Sequence, residues 1–498
     1  MAPPLSGRAA PRRFPHFRQD LLSSIVVFLV ALPLCIGVAV ASGVPAELGL
    51  ATGIVGGLVA GALPGSSLQV SGPAAGLTVL VFEAVREYGL RSLGLIVLAA
   101  GLIQLGMGAL RLGRWFRAIS ISVVHGMLAG IGLVLVTGQV HSLFDNKSPG
   151  AAMANVAGLP DLFADSASEP AALAAGGIGI GTIVVLVCWK YAPRRLRVIP
   201  GALVAVALAT LVTVAFDLPV KRIEVKGLLG AIQPPSPADL GGLVSIGAVG
   251  TIVAFALIAS AESLFSAAAV DRMHHGPRTH YDRELMAQGA GNMVCGLLGA
   301  LPMTAVIVRS ATNVQAGART KASRILHGVW LLAFTVIFPV ALEYIPVTAL
   351  AAILVHAGWK LLSLREVGRL WRTERGEAVV LTGTALAIVV TNLFEGVLIG
   401  LLLAVIKTAW DVSDIHIHVD EQADPLVIRL TGNATFLRLP KVLDALERIP
   451  HGRAVELDLS GLRHLDHACR TALESWSAQH RERDETSSVR IAEPAAAG

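Results

Sequence analysis

Glu262, within TIVAFALIASAESLFSAAAV, and Arg309, within LPMTAVIVRSATNVQ, are ionisable side chains inside stretches apolar enough to lie in lipid. A charge near the middle of a bilayer costs about 2.5–3.5 kcal/mol on insertion scales, so it persists where it faces a cavity, a partner or a substrate. A carboxylate and a guanidinium on different membrane helices suit an anion path with a protonatable or cation-binding group beside it. Desolvation penalises the charged form of a carboxylate. A proton on Glu262 would let an anion bind without a second negative charge next to it. The competing reading is a static salt bridge that ties two core helices together.

Two short segments supply the other half of such a site. Ser71–Gly72–Pro73 opens an apolar run over 73–84, and Leu301–Pro302 opens another over 303–314. Both are shorter than the ~20 residues a full span needs, and they stand seven segments apart. Short, Gly/Pro-interrupted segments at matching positions of two halves indicate an inverted repeat with the substrate between them. Proline at a helix start removes an N–H that would be unpaired anyway. Two opposed half-helix starts would each present about half a positive charge and free N–H groups to the bilayer centre, where an anion binds.

The elements that must hold these residues follow from composition. Of the 498 residues, 54% are hydrophobic, only 15% are charged and 51 are glycine, with a mean hydropathy of +0.67. Soluble domains carry about 25% charged residues, and membrane helices are richer in glycine than soluble ones. The net charge of +5 is spread over short loops between apolar runs, so it does not indicate nucleic acid. Cys35, Cys188, Cys295 and Cys469 are far apart and are expected as free thiols. The run 21–41 is long for a signal peptide and lacks a cleavage site, so it is expected as the first span.

Fourteen segments are expected, near 21–41, 48–63, 73–84, 93–110, 118–138, 172–190, 197–216, 243–262, 284–300, 303–314, 324–342, 346–360, 377–393 and 395–411. The Lys/Arg bias tests the count. With the N-terminus inside, the inner loops hold Arg12, Arg13 and Arg18; Arg111, Arg114 and Arg117; Lys190, Arg194, Arg195 and Arg197; Arg272, Arg278 and Arg283; Arg319, Lys321 and Arg324; and Lys360, Arg365, Arg369, Arg372 and Arg375. The outer loops hold only Arg86, Arg91, Lys147, Lys221, Arg222 and Lys226. The expected division is an N-terminal cytoplasmic segment 1–19, a transport domain 20–412 and a soluble domain 413–498, in a multi-pass protein of the cell membrane with both termini cytoplasmic. In that last part IHIHV, PLVIRLTG, AVELDLSGL and SVRIAE read as strands, alternating with helices in LPKVLDALERI and DHACRTALESWSAQHRER. Such alternation makes a small α/β domain.

The motifs DLLSSIVVFLVALPLCIGVAVASGVPAELGL, LQVSGPAAGLTVL, AESLFS and VRSATNVQAGARTKAS, in that order and followed by this tail, resemble the SulP, or sulfate permease, family of anion transporters with a C-terminal STAS domain. The resemblance implies a seven-plus-seven inverted repeat, core and gate domains that move against each other, a homodimer, and a substrate between the starts of segments 3 and 10. It places Ser71, Gly72, Pro73 and Ala74 at one half-helix start and Met303, Thr304, Ala305 and Val306 at the other, with Glu262 as the coupling residue and Arg309 as the basic site residue. Sulfate, bicarbonate and dicarboxylate are the anions it implies, with no enzyme chemistry, cofactor or metal. Sodium-coupled bicarbonate members tend to carry Asp on segment 8 and small hydroxyl residues on segment 10. Here Glu262 and Val306–Ile307–Val308 stand there, which favours a proton over sodium; sodium symport and anion exchange are the alternatives.

Nucleobase permeases share the seven-plus-seven plan but lack the STAS tail, and a membrane-tethered STAS signalling scaffold is the rival of a different class. Signalling STAS domains carry Asp–Ser where this chain has Asp466–His467, so the phosphate-accepting hydroxyl is missing, while Asp466 suits a helix N-cap. Gln69, Thr78, Gln104 and His125 could bond substrate but are expected to bond between helices. His274, His275 and His280 have no ordered zinc spacing and are expected in a solvated loop.

Overall fold

The computed structural model describes residues 16–492 except 119, 194–195, 197–198, 226, 237–244, 363, 450–453 and 483–488. Arg12, Arg13, Arg194, Arg195, Arg197 and Lys226 of the charge count, and most of segment 1–19, lie outside the described residues. The chain divides into two compact units, Met1–Gly400 and Leu401–Gly498, with the division inside the last long helix.

Each of the fourteen expected segments carries a helix: α1 (Phe17–Ala41), α2 (Ala46–Val55), α3 (Thr78–Tyr88), α4 (Leu90–Ala109), α5 (Ile121–Leu143), α6 (Pro170–Cys188), α7 (Gly201–Ala215), α8 (Ile246–Asp271), α9 (Tyr281–Leu297), α10 (Ile307–Gln315), α11 (Ala322–Ile337), α12 (Val347–Leu361), α13 (Arg375–Val390) and α14 (Leu393–Val412). Among the described residues, seven helices are long and apolar enough to cross a membrane, and Ala46–Ala60, Gly201–Ala215 and Ala322–Ile337 are shorter apolar helices. Exposed Leu211, Phe216, Val336, Ile337 and Val390 give the first unit's outer helices the apolar exterior that lipid requires.

Helix packing follows the expected repeat. Within the first unit α1 packs on α11 and α8 on α4, and α2 packs on α11 as α9 packs on α4. Each pair maps onto the other when the two halves of seven are exchanged. A second group forms around α5, which packs on α12 and α13, with α6 on α12. Small residues make the closest crossing possible. A Cβ on Gly94 would sit 2.8 Å from the Gly296 carbonyl oxygen, and one on Gly101 2.8 Å from that of Gly289, so α4 and α9 meet backbone to backbone along a seven-residue stripe.

The two half-helix starts meet as strands. β1 (Ser71–Pro73) and β2 (Met303–Ala305) pair antiparallel, with Ser71 opposite Ala305, Gly72 opposite Thr304 and Pro73 opposite Met303. The Val306 N–H extends the pairing to the Val70 carbonyl at 2.9 Å. Non-helical backbone at membrane depth must be satisfied within the protein, and neighbouring side chains do this. Asn292 accepts from the Met303 N–H at 2.7 Å and donates to the Met303 carbonyl at 3.0 Å. Ser263 accepts from the Ala305 N–H at 3.2 Å, Ser266 donates to the Ala305 carbonyl at 2.9 Å, and Ser310 accepts from the Val70 N–H at 2.9 Å.

The second unit is a four-stranded sheet in the order β3 (Ile415–Asp420), β4 (Leu426–Ala434), β5 (Val455–Leu465), β6 (Val489–Ala492), with β3–β4 antiparallel and the other pairs parallel. Helices α15 (Leu439–Glu447) and α16 (His467–Glu482) complete it. Its core gathers Ile428, Leu430, Val442, Leu446, Leu457 and Leu473. Asp466 caps α16 as its sequence position suggested, accepting from the Cys469 N–H at 2.8 Å.

Asn292→Ala leaves the buried Met303 N–H and carbonyl without their partner, so it is expected to destabilise the first unit by about 1–3 kcal/mol. The unfolding midpoint of the purified protein measures this, and a midpoint equal to the wild type would show that the strand crossing does not depend on Asn292.

Candidate functional site

A cavity of about 1720 Å³ runs up to the strand crossing. Its inner wall is formed by Pro73–Gly76, Thr304–Val306, Glu262 and Arg309, and its far walls by α1, α5 and α12. It reaches Lys190, Arg272, Arg278 and Lys360, all on the face that carries the basic loops. On the other side of Gly76 the space shrinks to about 20 Å³ between Glu83, Ile131 and Leu393. The cavity therefore extends from the strand crossing toward the basic face.

Both helix starts present backbone rather than side-chain caps to this cavity. A 3-10 turn, Ala75–Leu77, leads into α3 and is preceded by Ala74, as Val306 precedes α10, and neither Ala74 nor Val306 makes a side-chain cap hydrogen bond. Four N–H groups at each helix start lack an intrahelical partner, and the helix dipole favours an anion there.

Arg309 is 1% exposed. Its Nη2 donates to the Pro73 carbonyl at 3.3 Å, across the crossing to the other half of the repeat. Nε and Nη1 make no hydrogen bond to a nitrogen or oxygen among the described residues, and the Cys35 thiol is within hydrogen-bonding reach of the guanidinium. The guanidinium lies against Gly72, where a Cβ would sit 2.0 Å from Nη1. Glu262 stands on α8, against Gly76. A Cβ on Gly76 would fall 1.7 Å from its Oε1, the Thr304 side chain is within hydrogen-bonding reach, and Oε2 has no partner among the described residues. Glu262 and Arg309 make no ion pair among the described residues, so the static salt bridge is not formed.

The expected site residues divide into two sets. Pro73, Ala74, Thr304, Ala305, Val306, Arg309 and Glu262 line the cavity together. Ser71 and Gly72 do not line it. The Ser71 hydroxyl accepts from Gln288 Nε2 at 2.7 Å, and Gln288 also donates to Glu284 at 2.7 Å. Of the polar residues weighed beside them, His125 lines the cavity. Gln104 donates to Ser260 at 3.1 Å and accepts from Asn292 at 2.7 Å, between helices as expected, whereas Gln69, in the irregular stretch before β1, donates to the Ser263 carbonyl of α8 at 2.7 Å. The histidine loop departs from expectation in one residue: His275 and His280 are exposed, but the His274 side chain is 8% exposed and 4.0 Å from Asp271, because Asp271 gathers Thr279 and the loop folds over it.

Sequence reasoning missed Glu284, Gln288, Asn292 and Asn313, and it counted Arg324 in an inner loop, whereas Arg324 lies on α11 and is buried. Glu284 accepts from the Ser66 N–H at 2.7 Å, Asn313 donates to the Leu68 carbonyl at 2.9 Å, and Arg324 donates to the Leu63 carbonyl at 3.0 Å. Together they fix the chain that delivers β1. The signal was a cluster of amides and a carboxylate within otherwise apolar segment 9.

A family model described as the sulfate permease family matches residues 17–384, and one described as Mlab, STAS domain matches residues 417–497. The chain belongs to the sulfate permease family. As a member it is an anion transporter and a multi-pass membrane protein with a C-terminal STAS domain. The putative sulfate transporter YvdB of Bacillus subtilis is 29% identical over 80% of this chain and 75% of its own length. The bicarbonate transporter BicA of Picosynechococcus sp. is 25% identical over 81% of this chain and 72% of its own. Among solved structures, the transmembrane domain of a cyanobacterial BicA superposes with a TM-score of 0.66 at 22% identity, over 79% of this chain and 98% of that one. Murine Slc26a9 in the inward-facing state superposes with a TM-score of 0.74 at 16% identity, over 98% of this chain and 90% of that one. At these identities the structures share the sulfate permease fold.

Gly76→Ala is expected to displace the Glu262 carboxylate and to lower anion uptake by this family member on the order of tenfold, equivalent to about 1.4 kcal/mol. Uptake into proteoliposomes at matched protein incorporation is the measurement, and wild-type rates would place Glu262 outside the working site.

Proposed function

We propose that this protein is a secondary active transporter that carries a small anion, sulfate or bicarbonate in class, together with a proton. The substrate sits between the starts of α3 and α10. One observation carries the reading: the two half-helix starts, a buried guanidinium whose Nε and Nη1 make no hydrogen bond to a nitrogen or oxygen among the described residues, and a carboxylate with one unpartnered oxygen all converge on one cavity. Ala74 would contact the anion through its backbone N–H and Thr304 through its hydroxyl, while Ala305 and Val306, whose N–H groups are taken by Ser263 and the Val70 carbonyl, would shape the wall of the site. Arg309 supplies a positive field in a low-dielectric region, where a charge acts more strongly than in water. Ser71 and Gly72 serve as support for the strand crossing.

Glu262 would couple the two fluxes. Protonated, it leaves the cavity net positive and accepts an anion; ionised, it repels one. The names of the relatives, sulfate transporters and bicarbonate transporters, support this substrate class. Helices α1–α4 and α8–α11 would move against α5–α7 and α12–α14, since the cavity lies between the two packed groups. The Lys/Arg bias puts the basic face and both termini in the cytoplasm of a cell-membrane protein. The homodimer implied by the resemblance belongs to the same proposal.

The test is uptake of labelled sulfate and bicarbonate into proteoliposomes under imposed pH and sodium gradients. A pH gradient is expected to concentrate the anion and a sodium gradient is not; accumulation driven by sodium alone would replace the proton with sodium. Glu262→Gln is expected to abolish accumulation driven by the pH gradient while leaving anion exchange, because the amide mimics the neutral acid. Continued concentration of substrate by that variant would remove the coupling role from Glu262. Arg309→Ala is expected to weaken anion affinity on the order of tenfold, about 1.4 kcal/mol. An unchanged affinity with a lowered unfolding midpoint would reduce Arg309 to a strut beneath Pro73.

A further inference from the structure

The connection between α12 and α13 holds a helix, Leu364–Thr373, whose chemistry the transport reading leaves unused. Its sequence LREVGRLWRT places Arg365, Arg369 and Arg372 at i, i+4 and i+7, one stripe of the helix surface. All three are exposed. Val367 and Leu370, on the opposite side, pack against Ala378 and Leu381 of α13. Between the two faces lie Leu364 and Trp371, which stay 59% and 45% exposed. Glu366 pairs with Arg369, so the helix carries three arginines against one acid.

We infer that this helix lies in the membrane surface on the basic face and binds anionic phospholipid headgroups. It joins two membrane segments and is too short and too charged to cross. An amphipathic helix with arginines on its polar side and Leu and Trp at the apolar edge sits at the headgroup boundary, and its affinity rises with the negative charge of the lipid. Leu364 and Trp371 enter the acyl boundary, while the arginines reach the phosphates above them. Charge complementarity selects the occupant: three guanidiniums in one stripe match a row of lipid phosphates, whose geometry suits bidentate donors. Because α12 and α13 both pack on α5, bound headgroups would brace the wall of the cavity opposite Arg309.

The full-length protein, purified in an uncharged detergent, is titrated with short-chain phosphatidylglycerol, phosphatidylcholine of the same chain length, and glycerol 3-phosphate, while its unfolding midpoint is followed. Phosphatidylglycerol is expected to raise the midpoint, phosphatidylcholine to raise it less, and glycerol 3-phosphate to leave it unchanged. Replacing Arg365, Arg369 and Arg372 together by Gln is expected to raise the half-saturating lipid concentration by about fivefold per arginine, while the triple Lys variant keeps most of the response. The single exposed changes Arg365→Gln and Arg372→Gln give the same direction if the triple variant does not assemble. A wild-type lipid response in the Gln variants would overturn the inference. So would an equal response to glycerol 3-phosphate, which describes a plain anion site, or a changed oligomeric state with the lipid response intact, which describes a contact between copies. The readout is lipid binding, so it fails or succeeds independently of the transported anion.

Discussion

The strand crossing at the middle of the membrane is the constraint on which the rest of the first unit depends. Helices can cross lipid because their backbone bonds are internal; two broken ones cannot, unless something replaces the missing bonds. β1 and β2 replace part of them with each other, at Ser71–Ala305, Gly72–Thr304 and Pro73–Met303. Side chains from α8, α9 and α10 take the remainder, through Ser263, Ser266, Asn292 and Ser310. Polar residues are costly at that depth, and each of these four is accounted for by a named backbone group. Breaking the helices brings two dipole ends to one point, so the same irregularity that must be satisfied structurally also creates a place suited to an anion, which the proposed function uses.

Arg309 links these two consequences. Its hydrogen bond to the Pro73 carbonyl lets the residue on segment 10 secure the start of segment 3. The Cys35 thiol of α1 lies beside the same guanidinium, whose Nε and Nη1 make no hydrogen bond to a nitrogen or oxygen among the described residues. Gly72 permits the approach, because any side chain there would meet Nη1. Gly76 does the same for Glu262. The acid and the base therefore lie on two glycines of one short stretch and do not neutralise each other. A direct pair would hold the helices together but would cancel the field that an anion needs, and burying such a pair gives little net stability in any case.

The second unit is built by other rules. Its strands alternate or run apolar over strand length, and its core is closed by α15 and α16 within Leu401–Gly498. Asp466 caps α16 by accepting from the Cys469 N–H, and His467 follows it as the first residue of the helix.

By itself the sequence determined the elements of local origin. Apolar length marked the fourteen segments, Lys/Arg bias ordered the loops, Gly and Pro marked the two broken starts, and period-two and period-3.6 patterns marked the C-terminal strands and helices; these signals need only neighbouring residues. It also singled out Glu262 and Arg309, because an isolated charge in an apolar run stands out without any knowledge of its partners. Only the tertiary structure decided what depends on residues more than two hundred positions apart. It turned Ser71 toward Gln288 and away from the cavity, gave Arg309 to Pro73 and not to Glu262, and extended the cavity toward the basic face. Asn292 and Gln288 escaped notice because an amide in a membrane helix looks alike whether it bonds a helix, a substrate or a broken strand. Which of these it meets is set by the crossing of two half-helices from opposite ends of the chain, and no local pattern encodes that meeting.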